Sequence, residues 1–229
     1  MLSFFRGITV PNASTQKTME DIRSRGLLPD QGRCRMSHRL PINPAALFEQ
    51  PDLTHSETRA AAFPEYLTVC ACGDVEGAAH YAWRQNRTPD NDTPIIVEFV
   101  APASDIAVDG KDFLYTAFSL GVPELTKEPL IRCFGDAVLR YAEKAWASPH
   151  GCSLRIAMCD LAIHDPAVIS AHHANTLPIL GRHSLIFYSA FTVRLPIEAN
   201  RITRVFVPTE EIRHPSTPVK LDDVITRTH

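Results

Sequence analysis

Arg6 lies in an apolar strand pattern, Ser3 to Val10 (SFFRGITV), with Phe4, Phe5 and Ile8 around it and Gly7 beside it. A guanidinium is costly to bury unless an anion or another acceptor meets its fork of donors. The same pattern equally suits an edge-strand arginine pointing at water. Thr68, in Tyr66 to Cys72 (YLTVCAC), puts a hydroxyl on a second such strand, where it can orient a neighbouring group or be an ordinary strand threonine. Carboxylates occur at Glu98 in PIIVEFV, at Glu124 in GVPELTKEP and at Glu198 beyond a late strand. Glu98 reads as an outward-facing residue on a half-exposed strand. Glu124 reads equally as a catalytic acid or as an acid satisfying the dipole at a helix start.

Other chemistries find less support. His164, His172, His173 and His183 fall near Cys152 and Cys159, but no HxxxH with an adjacent Glu and no CxxC occurs, so no metal is expected. His172 or His173, beside Asn175, can face a cleft or cap a helix. No Gly-rich phosphate loop is present, which removes Rossmann and P-loop readings. Asp160, His164 and a serine make a triad on paper, without a nucleophile-elbow pattern to support it. Arg33, Arg35, His38 and Arg39 form a basic cluster of a kind that is more often a solvated loop.

Strands are expected at Ser3 to Val10, Tyr66 to Cys72, Pro94 to Ala101 (PIIVEFVA), Ser153 to Cys159 (SLRIAMC), Ser184 to Leu195 and Ile202 to Val207. Ser14 or Thr15 caps a short helix with Met19 and Ile22 on one face and Gly26 placed to stop it. Asp74 caps a second through Ala78, Ala79 and Tyr81 to about Trp83. Thr126 and Pro129 open one long helix with Leu130, Phe134, Val138, Tyr141 and Ala145 at helical spacing, and Asp165 with Pro166 starts another. Pro29 to about Thr54 is expected to be loop with one short helix, and the tail after Pro208 to be polar and loose. With no repeat, low-complexity tract or Gly/Ser linker, one domain over residues 1–210 is expected, followed by a polar tail, 211–229.

The chain has 229 residues, 45% hydrophobic and 21% charged, which excludes wholesale disorder. A net charge of -3 gives no broad pull toward nucleic acid or anionic membrane. No apolar run approaches the roughly 20 residues that span a bilayer. The segment MLSFFRGITVP lacks the features of a Sec signal. The six cysteines are scattered without a CxxC pair, so reduced thiols are expected, with Cys70 and Cys72 as small apolar strand residues.

Three segments taken together resemble the ADP-ribosyltransferase superfamily, and particularly its cholera and heat-labile enterotoxin branch. They are Phe5-Arg6-Gly7, the helix ending MEDIRSRGLLPDQ, and YLTVCACGDVEGAAHYA; PIIVEFVAP and DIAVDGKDFLYTAF follow in the family's order. The resemblance covers roughly residues 3 to 120, and more weakly 184 to 207. It implies an α+β fold: a split, twisted, mainly antiparallel sheet with peripheral helices and an NAD cleft between its halves. By position, Arg6, Gly7, Thr68 and Tyr81 would contact NAD, with Arg6 on phosphate or ribose and Thr68 in the place of the first serine of a Ser-Thr-Ser strand. The family's catalytic glutamate falls at or near Thr192, and its frequent companion at Ala190; neither is acidic. Glu124 is therefore nominated as catalytic acid with Thr68 ordering the site, and Glu98 is the other option.

The resemblance implies NAD-dependent transfer of ADP-ribose, a glycosyltransferase chemistry, by a bacterial toxin or virulence effector. The acceptor would be a protein, such as host ubiquitin or a GTPase. The acidic net charge disfavours a nucleic-acid acceptor, and no membrane partner is implied. The expected location is cytoplasmic, or secreted into a host cell by a route without a Sec signal. The alternatives are a catalytically silent relative that binds NAD or a partner, and an NAD-dependent RNA 2′-phosphotransferase.

Overall fold

The computed structural model describes residues 1–29, 34–38, 44–49, 65–147, 151–181, 186–209, 212–220 and 222. In chain order its elements are β1 (Leu2–Val10), α1 (Thr15–Arg25), β2 (Arg35–His38), α2 (Pro44–Glu49), β3 (Glu65–Cys72), α3 (Val75–His80) and β4 (Thr93–Ala101). Then come β5 (Ile106–Val108), α4 (Lys111–Leu120), α5 (Pro123–Phe134), α6 (Leu139–Trp146), α7 (Cys152–His164) and α8 (Pro166–Asn175). The chain closes with β6 (Pro178–Leu180), β7 (Ile186–Tyr188), β8 (Ala190–Arg194), β9 (Ile202–Phe206) and β10 (Val219–Lys220). Arg33, Arg39 and His183 lie outside the described residues.

The main sheet is antiparallel, in the order β5-β8-β3-β1-β4-β9, with β2 also on β3. Alternation decides its two faces. Phe4, Val69, Ala71, Ile95, Val97 and Phe99 enter the larger core, which the helices from α4 to α8 complete. Ile96 and Cys72 point to the other face and meet Ala78 and Ala79 of α3. The fold is thus of mixed α and β type, with helices on an antiparallel sheet.

β1 pairs with β4 from Leu2 opposite Ala101 to Val10 opposite Thr93. It meets β3 at a single register pair, Phe5 opposite Cys72. Beyond that point β3 turns its edge to β2, with Arg35 opposite Thr68 and His38 opposite Glu65. The sheet therefore splits between β1 and β3.

Several local expectations change. SLRIAMC, expected as a strand, lies in helix α7, where every residue from Ala157 to Ile163 is buried. A helix buried on all sides has no polar stripe to betray its 3.6-residue period, so short alternation can mimic a strand. The long helix expected from Thr126 is two helices, α5 and α6, separated at Gly135 with φ 72°. The expected strand from Ser184 to Leu195 is interrupted at Ser189, a buried residue with φ 42°. Part of the expected loop after Pro29 is strand β2, ordered by pairing with β3. The expected loose tail is partly tied down: β10 pairs in parallel with β6, and Val219 is buried in the core.

His172 shows how the helical layer is fastened. Its ring stacks on Phe134 with centroids 5.2 Å apart, and Nδ1 lies 2.9 Å from the Cys133 carbonyl, to which it donates. Burial pulls the imidazole down from 6.5 to about 4. Folding thus holds His172 neutral, and as pH falls through 6.5 the unfolded chain takes up the proton first. The stability involved is present above pH 6.5 and is lost toward pH 4, an amount of about 3 kcal/mol. In His172→Phe, stability at pH 7 falls by about 1 kcal/mol for the lost hydrogen bond, while the acid-induced loss shrinks. Urea unfolding at pH 7 and pH 4 measures both; an unchanged acid loss contradicts the assignment.

Candidate functional site

The split leaves the Cys70 carbonyl on the β3 edge between the residue paired with β1 and the residue paired with β2. Arg6 fills that gap. It is only 6% exposed, and its Nη1 donates to the Cys70 oxygen at 2.9 Å. Burial pulls the guanidinium below its ordinary value, and its electrostatic neighbours include the sulfurs of Cys70, Cys34 and Cys72. Arg6 is therefore part of the fold as well as a candidate anion partner. The edge-strand reading, with the side chain in water, does not hold.

Gly7 has a packing role. A Cβ there would lie 1.9 Å from the Ala78 oxygen and 2.9 Å from the Ala82 nitrogen. The space above Gly7 is occupied by α3 and the π-helical turn that follows it, Tyr81–Gln85, which corrects the expectation of ligand approach at this glycine. Ala78 and Ala79 are fully buried for the same reason. Asp74 fixes the start of α3 as expected, accepting from the Gly77 N–H at 2.6 Å.

Thr68, Cys70 and Cys72 alternate onto the face of β3 opposite the large core. Thr68 is 1% exposed; its Oγ1 donates to the Arg35 carbonyl at 3.2 Å and lies 3.1 Å from Ser37 Oγ. Its hydroxyl thus holds β2 against β3. Beside it, Cys70 faces Thr192 of β8, and Thr192 faces Ala107 of β5.

An ion pair spans this face. Arg35 Nη1, from β2, lies 3.0 Å from Asp109 Oδ2, just beyond β5. Register puts β3 and β8 between those strands, so the pair crosses over both, near Cys70. The Asp109 N–H donates to the Ala190 carbonyl at 2.9 Å, which fixes the carboxylate at the end of β5. Burial raises the Asp109 carboxyl above its ordinary value, and Arg35 opposes that shift. Burial also raises Cys70, reinforced by Asp109 and opposed by Arg35 and Arg6, so its sulfur is a poor thiolate. Tyr81 shares this environment: burial raises its phenol, with Cys72, Asp109 and Cys70 among its electrostatic neighbours.

The structure thus puts Thr68, Cys70, Arg35, Asp109 and Tyr81 on the face away from the large core, whereas Arg6, opposite Val97, stands by strand alternation with Phe4 and reaches the Cys70 carbonyl at the split. Glu124 is elsewhere. It is exposed in the first turn of α5, whose buried residues Leu130, Cys133 and Phe134 enter the large core on the other side of the sheet. Glu98 is engaged on the strand surface, 3.4 Å from Arg204 Nε. Glu198 is exposed ahead of a 3-10 turn. Asp109 carried a weak signal in sequence, an Asp-Gly directly after a three-residue apolar strand, which reads as a turn.

The remaining candidates are structural. His173 Nε2 lies 2.6 Å from the Ser3 carbonyl, so neither histidine of the pair opens on a cleft. The Asp160 carboxylate pairs with Lys111 at 2.6 Å, whereas His164 reaches the Asp160 backbone carbonyl. That arrangement does not form the relay of a triad. None of the six cysteines forms a disulfide. Among the described residues no group of three His, Cys, Asp or Glu side chains is placed to hold a metal, and no helix is long and apolar enough to cross a membrane. Comparison with protein-family models, with curated proteins and with solved structures gave no match.

Arg6→Ala should lower stability by about 1.5–3 kcal/mol, the range for a hydrogen bond to a charged group, because it leaves the Cys70 carbonyl without this donor. Urea unfolding of the variant measures this; an unchanged midpoint means that Arg6 does not bracket the split.

Proposed function

We propose that the face beside the sheet split binds NAD and that the protein transfers ADP-ribose from it to a protein acceptor. The observation that carries this reading is the Arg35–Asp109 ion pair on the polar face of the sheet, beside the split that Arg6 fills. Their charges fit the substrate. Arg35 is exposed, and beyond the Nη1 that pairs with Asp109 its fork carries further N–H donors for a pyrophosphate. Asp109 supplies the acid that the family resemblance would place at Thr192. In its ionised form it stabilises the positive charge that develops at the ribose carbon as the bond to nicotinamide breaks and the electron pair leaves with the base. The acceptor then forms its bond to that carbon and gives up a proton. Arg35 favours the ionised form of Asp109, so the two residues act as a unit.

One observation favours the silent-binder reading: Arg6 and Thr68 already spend hydrogen bonds on the fold itself. Mass spectrometry of cell extract incubated with the protein and isotopically labelled NAD separates the two. Transfer supports the enzyme, whereas NAD binding without any labelled product supports the binder.

Asp109→Asn should reduce transfer by about 100-fold or more while leaving NAD affinity nearly intact, the scale expected for loss of one stabilising group. Glu124→Gln should leave transfer unchanged, and the reverse pattern would return the role to Glu124. In Arg35→Ala the acid limb of the pH–activity profile should move to higher pH, because the residue that lowers the Asp109 carboxyl is gone. An unmoved limb would separate Asp109 from the chemistry.

A further inference from the structure

A second concave site lies next to α3, lined by side chains from three separate segments. The helix and its π turn contribute His80 and Arg84, four residues apart and so on one face. Strand β7 contributes Ile186 and Tyr188, and the segment from Ile212 to Pro218 contributes Arg213 and His214. The cavity has a volume of about 400 Å³. That is within the range of small-molecule sites and larger than a lone inorganic anion requires.

Its walls are fixed. Tyr188 lies between two histidine rings, 4.2 Å from His80 and 5.3 Å from His214 between centroids. The Ser216 N–H donates to His214 Nδ1 at 3.2 Å, which leaves the proton on Nε2, 3.7 Å from Asp74 Oδ1. The same Asp74 oxygen caps α3, so one carboxylate sets both the helix start and the orientation of the His214 ring. Among the described residues no carboxylate lines the cavity, Asp74 included. What the cavity presents is an aromatic and aliphatic lining together with two exposed guanidiniums, Arg84 and Arg213.

Guanidinium forks select a phosphate dianion, and an aromatic face such as that of Tyr188 selects a planar ring. We propose that this cavity binds a nucleoside monophosphate, with the phosphate on Arg84 and Arg213 and the base against Ile186 and Tyr188. The site shares no residue with the Arg6, Thr68, Arg35 and Asp109 group, so it stands whether or not that group transfers ADP-ribose.

Isothermal titration calorimetry of the full chain with 5′-AMP, adenosine and inorganic phosphate tests the assignment. 5′-AMP should bind at least about 10-fold more tightly than either of the other two, with affinity falling as salt rises. Arg213→Gln and Arg84→Gln, at exposed positions, should each weaken 5′-AMP by about 10-fold or more with melting temperatures unchanged. Absence of 5′-AMP binding at millimolar concentration overturns the proposal, as does equal binding of phosphate alone. Because 5′-AMP is also part of NAD, Arg35→Ala is titrated alongside. Affinity lost there but kept in Arg213→Gln would put the nucleotide on the sheet face and overturn the proposal.

Discussion

Strand β1 cannot satisfy both of its neighbours along its full length. It is committed to β4 from Leu2 to Val10, and at Gly7 it is pressed by α3 so closely that no Cβ would fit. β3 therefore leaves it after Phe5 and Cys72, and the Cys70 carbonyl at the divergence needs a donor that is not a strand. A buried backbone carbonyl without a partner would cost about as much as a lost hydrogen bond. The Arg6 guanidinium meets that need, and the rest of the site follows from it. The strands diverge enough to admit β2, β2 carries Arg35, and Arg35 reaches Asp109 across β3 and β8.

The two faces of the sheet have different tasks. On one, Phe4, Val69, Ala71, Val97 and Phe99 are sealed by the helical layer, where several polar groups are paired or bound to backbone. Lys111 meets Asp160, Arg140 meets Asp165, and His172 and His173 are tethered to the carbonyls of Cys133 and Ser3. Such groups hold helices in register and leave little for chemistry. On the other face α3 covers the side nearer β4, and the polar residues Thr68, Thr192, Arg35 and Asp109 gather over β2, β3, β8 and β5. Charge and hydrogen-bonding capacity concentrate where the apolar layer is missing.

How much of this was legible depends on range. PIIVEFVA announced a strand because its side chains are apolar on both faces, and Asp74 announced a helix start because capping is a local hydrogen bond. Gly26, with φ 82°, ended α1 where expected. SLRIAMC failed because Ser153 and Arg155 alternate with Leu154 and Ile156 as in a strand, and the continuation from Ala157 to Ile163 is buried all round. β2 failed because four residues, RMSH, have no strand pattern of their own and are ordered by the edge of β3.

The sequence by itself determined the identity of the strands that build the sheet centre, the helix caps, and the presence of one arginine in an apolar strand that had to be explained. Those depend on contacts within a few residues, where backbone geometry and side-chain period act directly. Only the tertiary structure decided that Arg6 binds the Cys70 carbonyl, that Gly7 makes room for a helix, and that Glu124 belongs to the far layer while Asp109 faces Arg35. Arg35 and Asp109 are 74 residues apart, and nothing local links them. Their meeting is a consequence of strand order, which is fixed by which apolar faces can be buried together.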